Sequence, residues 1–274
     1  GEGGRFVFSR ERVPGILRAT MNRPRDTMQR IALPLLALLV LVACQATEAT
    51  PTGAYLDHGI PEDLIVDPDT GTKTDAFPDA FDAQRIMSDP FFANGDAVTA
   101  DDLQLFLEAN PYGDRSWLAD ALVGDERVAD VIADIAREEG INPVVLLARM
   151  QVEKGLISRT RAVSGHTWDF AFGCGCHDGA DCMEQFRGFD RQIRCAAQVL
   201  LTSYAASRDG SGLWRKGRAK ATLDGVTVTP FNHATAALYA YTPWVLRGEG
   251  GNWLVWNVTR RFARHFERMG VLDL

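Results

Sequence analysis

The sequence has little apolar length in any one place. Its single long apolar run, Ile31 to Val42, is far short of the roughly 20 residues a spanning helix needs. With a mean hydropathy of -0.11, that excludes a polytopic membrane protein. A basic excess is missing as well. The 29 Lys and Arg stand against 36 Asp and Glu, a formal net charge of -7, so no broad positive surface is offered to a phosphate backbone, which argues against nucleic acid as a partner. Strand signals are scarce: only Ala221 to Thr229, with Asp224-Gly225 between β-branched residues, reads as a hairpin. What remains is ordinary globular composition, 46% hydrophobic and 24% charged over 274 residues, enough for one or two domains.

The short apolar run acquires a meaning from its flanks. Arg23, Arg25 and Arg30 precede it and Leu41-Val42-Ala43-Cys44 follows, the order of a positive segment, an apolar segment and a small residue before a cleavage point. These last four residues resemble a bacterial lipobox, which implies that residues 1–43 are a signal peptide and that Cys44 carries the lipid. Residues 1–20 lie upstream of Met21 and Met28 and are expected to be spurious upstream translation. Beyond residue 43 the chain has 22 basic and 33 acidic residues, too acidic to cling to anionic polymer or lipid by bulk charge. From Gln45 to Asp82 it is rich in Thr, Pro, Asp and Gly without periodic apolar positions. Residues 44–82 are therefore expected to be a lipidated N-terminus and flexible tether, and residues 83–274 one domain.

Helical periodicity dominates that domain. Thr99 and Asp102 form a capping box ahead of Leu103, Phe106 and Leu107. Val128, Val131, Ile132 and Ile135 repeat at helical spacing and Gly140 stops them. Asn142 caps a further helix with Pro143 at its first position and Gly155 at its end. Ile193, Ala196, Ala197, Leu200, Leu201 and Tyr204 make another stripe, and the last helices are Ala234 to Tyr241 and Trp253 to Met269. The expected class is mainly α, an α+β domain with one small hairpin.

The Pro143 helix carries chemistry. Leu146, Met150 and Glu153 fall at i, i+4 and i+7, so a carboxylate extends an apolar stripe. Poor solvation there favours the protonated form that a general acid requires. The residues alone leave a second reading open, in which Glu153 pairs with Arg149 or Arg159, or sits in water at a frayed helix end.

The runs Asn142-Pro143-Val144-Val145-Leu146-Leu147 and Gln151-Val152-Glu153-Lys154-Gly155-Leu156 resemble the catalytic helix of the lysozyme-like superfamily, which includes lytic transglycosylases, goose-type lysozymes and bacterial glucosaminidases. The likeness is strongest to a group of exported bacterial proteins labelled hemagglutinin-like. Phe172-Gly173-Cys174-Gly175-Cys176, Ala234 to Pro243 and Gly251-Asn252-Trp253 match that group in order, as does Ser88-Asp89-Pro90-Phe91-Phe92 to Leu107. The resemblance implies a lysozyme-like helical domain that cleaves the glycan backbone of peptidoglycan, with Glu153 as its single catalytic glutamate. Tyr241 matches the tyrosine of a Tyr-Asn motif that orients the glutamate and the sugar, with Thr242 in place of the asparagine and Tyr239 as the competing choice. Phe172 and Gly173 would line the cleft, and Gln151 would join Tyr239, Thr242, Trp168 and Trp244 in binding sugar. Trp253 and Trp256, at helical spacing, read as core, and His166 and His233 as structural. A partner carboxylate is not selected by spacing among Asp169, Asp178, Asp181, Glu184 and Asp190; if none stands opposite, one glutamate serves as acid and then base.

Cys174, Cys176, Cys182 and Cys195 with His177 present a zinc-like spacing, but in an exported chain four thiols read as two disulfides. The resemblance implies Cys176 with Cys182 and Cys174 with Cys195. No metal and no cofactor is expected. The expected partners are peptidoglycan strands and, through the Cys44 acyl chain, a lipid bilayer. The chain would be a monomer, exported and anchored facing the periplasm or cell exterior. A non-catalytic glycan-binding lipoprotein with the same fold is the competing reading.

Overall fold

The structure, a computed structural model, describes residues 76–176 and 181–274. The expected signal peptide, Cys44, most of the tether, His177 and Asp178 lie outside the described residues. All that is described belongs to one compact unit, Ala49–Leu274.

The described chain is mainly helical, as its periodicity indicates. After a short helix α1 (Asp89–Phe92) come α2 (Ala100–Glu108), a 3-10 turn (Trp117–Ala119) and the hairpin β1 (Leu122–Val123) and β2 (Glu126–Arg127). Then follow α3 (Val128–Glu139), α4 (Pro143–Lys154), the short α5 (Gly165–Asp169), a 3-10 turn (Glu184–Phe186) and the long α6 (Phe189–Asp209). A second hairpin, β3 (Lys220–Ala221) and β4 (Thr227–Val228), precedes α7 (His233–Tyr241) and α8 (Gly251–Arg268). Each hairpin is a separate two-stranded antiparallel sheet; in the second, Lys220 faces Val228 and Ala221 faces Thr227. Among the described residues no helix is long and apolar enough to cross a membrane.

Helix ends fall where local chemistry places them. The Thr99 hydroxyl accepts from the Asp102 N–H at 3.2 Å, and the Asp102 carboxylate accepts in return from the Thr99 N–H at 3.1 Å. Asn142 accepts from the Val144 N–H at 2.9 Å to open α4, and Gly155, left-handed at φ +63°, closes it.

Helix α4 is the centre of the molecule. Every residue from Pro143 to Val152 is buried, so this helix has no solvent face along that length. It packs on α8, while α6 packs on α7 and on α3, and α2 on α3. Between α7 and α8 the chain turns tightly. Asn252 donates through Nδ2 to the Thr242 carbonyl at 2.7 Å, and a Cβ on Gly251 would stand 2.7 Å from the Trp244 carbonyl oxygen, so only glycine fits there.

The packed domain starts before Ala83, within the segment expected to be tether. Ala76 and Phe77 are buried, Phe77 lies edge-on to Phe91 with ring centroids 4.7 Å apart, and the Ala76 carbonyl accepts from the Ser88 N–H at 2.8 Å. Isolated aromatics in a polar stretch carry no periodicity, which is why their burial is not visible in the sequence.

Candidate active site

Glu153 stands on the last turn of α4, where the helix emerges from the core. Its side chain is 25% exposed, and behind it, one turn earlier, lies the guanidinium of Arg149, only 1% exposed. Arg149 Nη2 donates to Glu153 Oε1. Of the two readings left open by the residues, the structure has the ion pair with Arg149. The same guanidinium donates through Nη1 to the Thr242 hydroxyl at 3.1 Å and lies over the Tyr241 ring, 4.2 Å from its centroid. One buried cation thus ties the end of α4 to the end of α7. A buried guanidinium is tolerated only with such partners.

Tyr241 reaches across to the cleft loop, its hydroxyl donating to the Phe172 carbonyl at 3.4 Å. Burial pushes its phenol up to about 12, against the opposing pull of the Arg149 charge, so near neutral pH it is an uncharged donor. The loop is held from the other side by Gln192 of α6. That buried amide accepts from the N–H groups of Phe172 (3.2 Å) and Cys174 (3.0 Å) and donates to the carbonyls of Cys174 and Phe186, both at 2.8 Å. Four backbone groups are satisfied by one side chain, which replaces the secondary structure the loop lacks. Gly173, left-handed at φ +64°, is thereby placed against the acid: a Cβ on it would stand 3.8 Å from Glu153 Oε2.

The two disulfides are those the resemblance implies, Cys174 with Cys195 and Cys176 with Cys182. All four thiols are consumed, so the zinc-like spacing does not act as a metal site; among the described residues no group of three or more His, Cys, Asp or Glu is placed to hold one. The first bridge fastens the loop beside Glu153 to α6 and spans a sequence separation of 21, the second one of 6. Because loop-closure entropy grows with length, Cys174→Ala/Cys195→Ala is expected to lower stability in urea unfolding by about 3 kcal/mol, and the equivalent change at Cys176 and Cys182 by less.

The structure gathers Glu153, Tyr241, Thr242 and the Phe172-Gly173 loop into one constellation. Two of the other expected sugar-binding residues, Gln151 and Tyr239, are closed off from solvent. Gln151 is fully buried, donating through Nε2 to the Ser158 hydroxyl and accepting from the Ser158 N–H, both at 3.1 Å. It therefore braces the turn after α4 and offers no surface to a sugar. Tyr239 is likewise fully buried, stacked on Trp214 with centroids 5.0 Å apart, and is core. Trp168 is half-buried, stacked 4.1 Å from Phe189 and edge-on to Trp117. Trp244, half-buried, serves the turn through its carbonyl, which accepts from the Asn252 N–H at 3.0 Å. His233 pairs through Nδ1 with the Ser207 hydroxyl at 2.9 Å, and Trp253 and Trp256 are buried. Of the acidic candidates, Asp169 and Glu184 share one partner, Arg187, at 2.7 and 2.6 Å. Gln192 is the participant that the sequence does not single out, and Arg149 enters there only as a possible partner of Glu153. Both are polar residues at core positions of helical stripes, the only signal the sequence holds for either.

No curated protein and no solved structure matches the chain. The sequence family described as LasA, N-terminal domain, matches residues 85–243, which run from just before α1 to just after α7. They include Arg149, Glu153, both disulfides, Gln192 and Tyr241, and account for more than half of the chain, so it belongs to the LasA N-terminal domain family.

Proposed function

We propose that the chain is an exported, membrane-anchored lipoprotein that cleaves the glycan backbone of peptidoglycan, using a lysozyme-like domain with Glu153 as general acid. The observation that carries this reading is the setting of Glu153. Its carboxyl group reaches solvent at the mouth of a buried helix, backed by Arg149 and faced by the Gly173 loop and Tyr241. In the reaction Glu153, released from Arg149 and protonated, gives its proton to the glycosidic oxygen as the bond from that oxygen to the sugar carbon breaks. The resulting carboxylate then takes a proton from the attacking hydroxyl, whether that of water or one on the substrate itself. Arg149 and Tyr241 act as positioning residues: the first holds the glutamate at the mouth of the helix before substrate arrives, the second keeps the loop at its height.

In this scheme one glutamate serves as acid and then base, and the loop acids Asp169 and Glu184 have a structural role, both pairing with Arg187. The test is mass spectrometry of what the wild-type protein releases from purified sacculi. Anhydro ends identify a lytic transglycosylase, reducing muramic ends a muramidase and reducing glucosamine ends a glucosaminidase.

Two observations favour a second reading, a non-catalytic glycan-binding lipoprotein of the same fold. Glu153 is engaged in an ion pair with a buried cation, and a threonine stands where the Tyr-Asn motif has its amide. Retention of the protein on sacculi with no soluble fragment released selects that reading and overturns the first.

A further inference from the structure

The segment between α6 and α7 departs from the rest of the molecule in charge and in surface. The whole chain is acidic, yet Arg215, Lys216, Arg218 and Lys220 fall within six positions. From Gly210 to Phe231 the single opposing charge is Asp224, whose carboxylate accepts from the N–H groups of Val245 (3.1 Å) and Leu246 (2.8 Å). No ion pair to any of the four cations is present among the described residues. Beside them stand large apolar side chains in water: Leu213 is 83% exposed, Leu223 67%, Phe231 63% and Val226 39%. These are half of the large apolar residues exposed among the described residues, concentrated in nineteen positions.

They are held there by the backbone. The Gly217 N–H donates to the Pro230 carbonyl at 2.8 Å, the Leu223 N–H to the Pro243 carbonyl at 2.8 Å, and the Thr222 hydroxyl bonds both the N–H and the carbonyl of Val226 at 3.0 Å. The tip therefore presents Leu223 and Val226 outward as part of a braced structure.

We propose that the β3–β4 hairpin and its flanks dock on an anionic lipid surface, with the exposed Lys216, Arg218 and Lys220 over the headgroups and Leu213, Leu223, Val226 and Phe231 entering the interfacial layer. Charge complementarity supplies the choice of occupant. Clustered basic residues near apolar ones match a negatively charged bilayer surface, whereas nucleic acid or a polyanionic glycan has no use for exposed leucines. The proposal does not depend on the chemistry of the Glu153 constellation.

The test uses the full chain carrying Cys44→Ser, which removes any acyl chain, and Ala219→Cys labelled with an environment-sensitive fluorophore amid the cations. The probe is expected to shift to the blue with vesicles containing one-third phosphatidylglycerol and not with pure phosphatidylcholine, and the response should weaken in high salt. Adding Lys216→Glu/Arg218→Glu is expected to weaken binding roughly thirtyfold or more. Adding Leu213→Ser/Leu223→Ser, which leaves the charge intact, should reduce the blue shift. All these positions are exposed, and circular dichroism would register a loss of fold. An equal shift with neutral vesicles, unchanged binding after charge reversal, the same shift with polyphosphate or duplex DNA, or a vesicle-free shift that follows protein concentration would each overturn the proposal.

Discussion

Glu153→Gln is expected to lower the rate of muropeptide release from purified sacculi by about 10²- to 10⁴-fold, the range that a positioned general acid contributes. The amide keeps the length of the side chain and an oxygen for Arg149 Nη2 to donate to, so helix α4 keeps its end and the protein keeps its affinity for sacculi. What the amide lacks is a transferable proton. Asp169→Asn and Glu184→Gln are the matched controls. Both acids are occupied by Arg187, and neither change should alter release by more than a small factor if one glutamate serves as acid and then base. Equal rates for Glu153→Gln and wild type would leave Glu153 as no more than the partner of a buried arginine.

The features legible in the sequence are those set over a few residues. The capping box at Thr99 and Asp102, the Asn142-Pro143 start of α4, the glycine stops at Gly140 and Gly155 and the Asp224-Gly225 turn all stand where the chain implies. Each is decided by a hydrogen bond or a dihedral within four positions. Glu153 drew attention for the same reason, as a charged residue on a stripe. The side-chain roles around it were not legible in that way, because α4 is buried all round and periodicity then gives no outward face. Arg149, Gln151 and Glu153 read as equivalent polar interruptions of one apolar helix. Contacts from α7, the Ser158 turn and the Gly173 loop distinguish them, and all of these come from beyond the helix itself. The choice between Tyr239 and Tyr241 is likewise made by tertiary placement: one ring faces Trp214 and the other lies under a guanidinium. Phe77 and the bonds from Gln192 to Phe172 and Cys174 belong to the same class, the partners lying 14 or more positions away.

The ion pair at the site should be energetically lopsided, and stability measurements would expose this. Removing the carboxylate in Glu153→Ala leaves a guanidinium 1% exposed to solvent, with only the Thr242 hydroxyl and the Tyr241 face to offset its charge. Breaking a buried pair in this direction costs about 3–5 kcal/mol. Removing the cation in Arg149→Met does the reverse. The thioether chain is apolar and long enough to fill much of the space the arginine side chain occupies against Tyr241, and Glu153, a quarter exposed, turns to water for its solvation. What is lost is the hydrogen bond to Thr242 and the cation–ring contact, so the expected cost is smaller by about 2 kcal/mol. For a domain of this size, Glu153→Ala should then melt roughly 10 °C below wild type. The double variant should be more stable than Glu153→Ala alone, because it takes away the stranded charge. Urea unfolding of the four proteins provides the cycle. If Arg149→Met proved the more costly single change, the guanidinium would have to be finding water that the geometry denies it, and Arg149 would then be a surface partner of Glu153 and not the buried post on which the candidate acid is mounted.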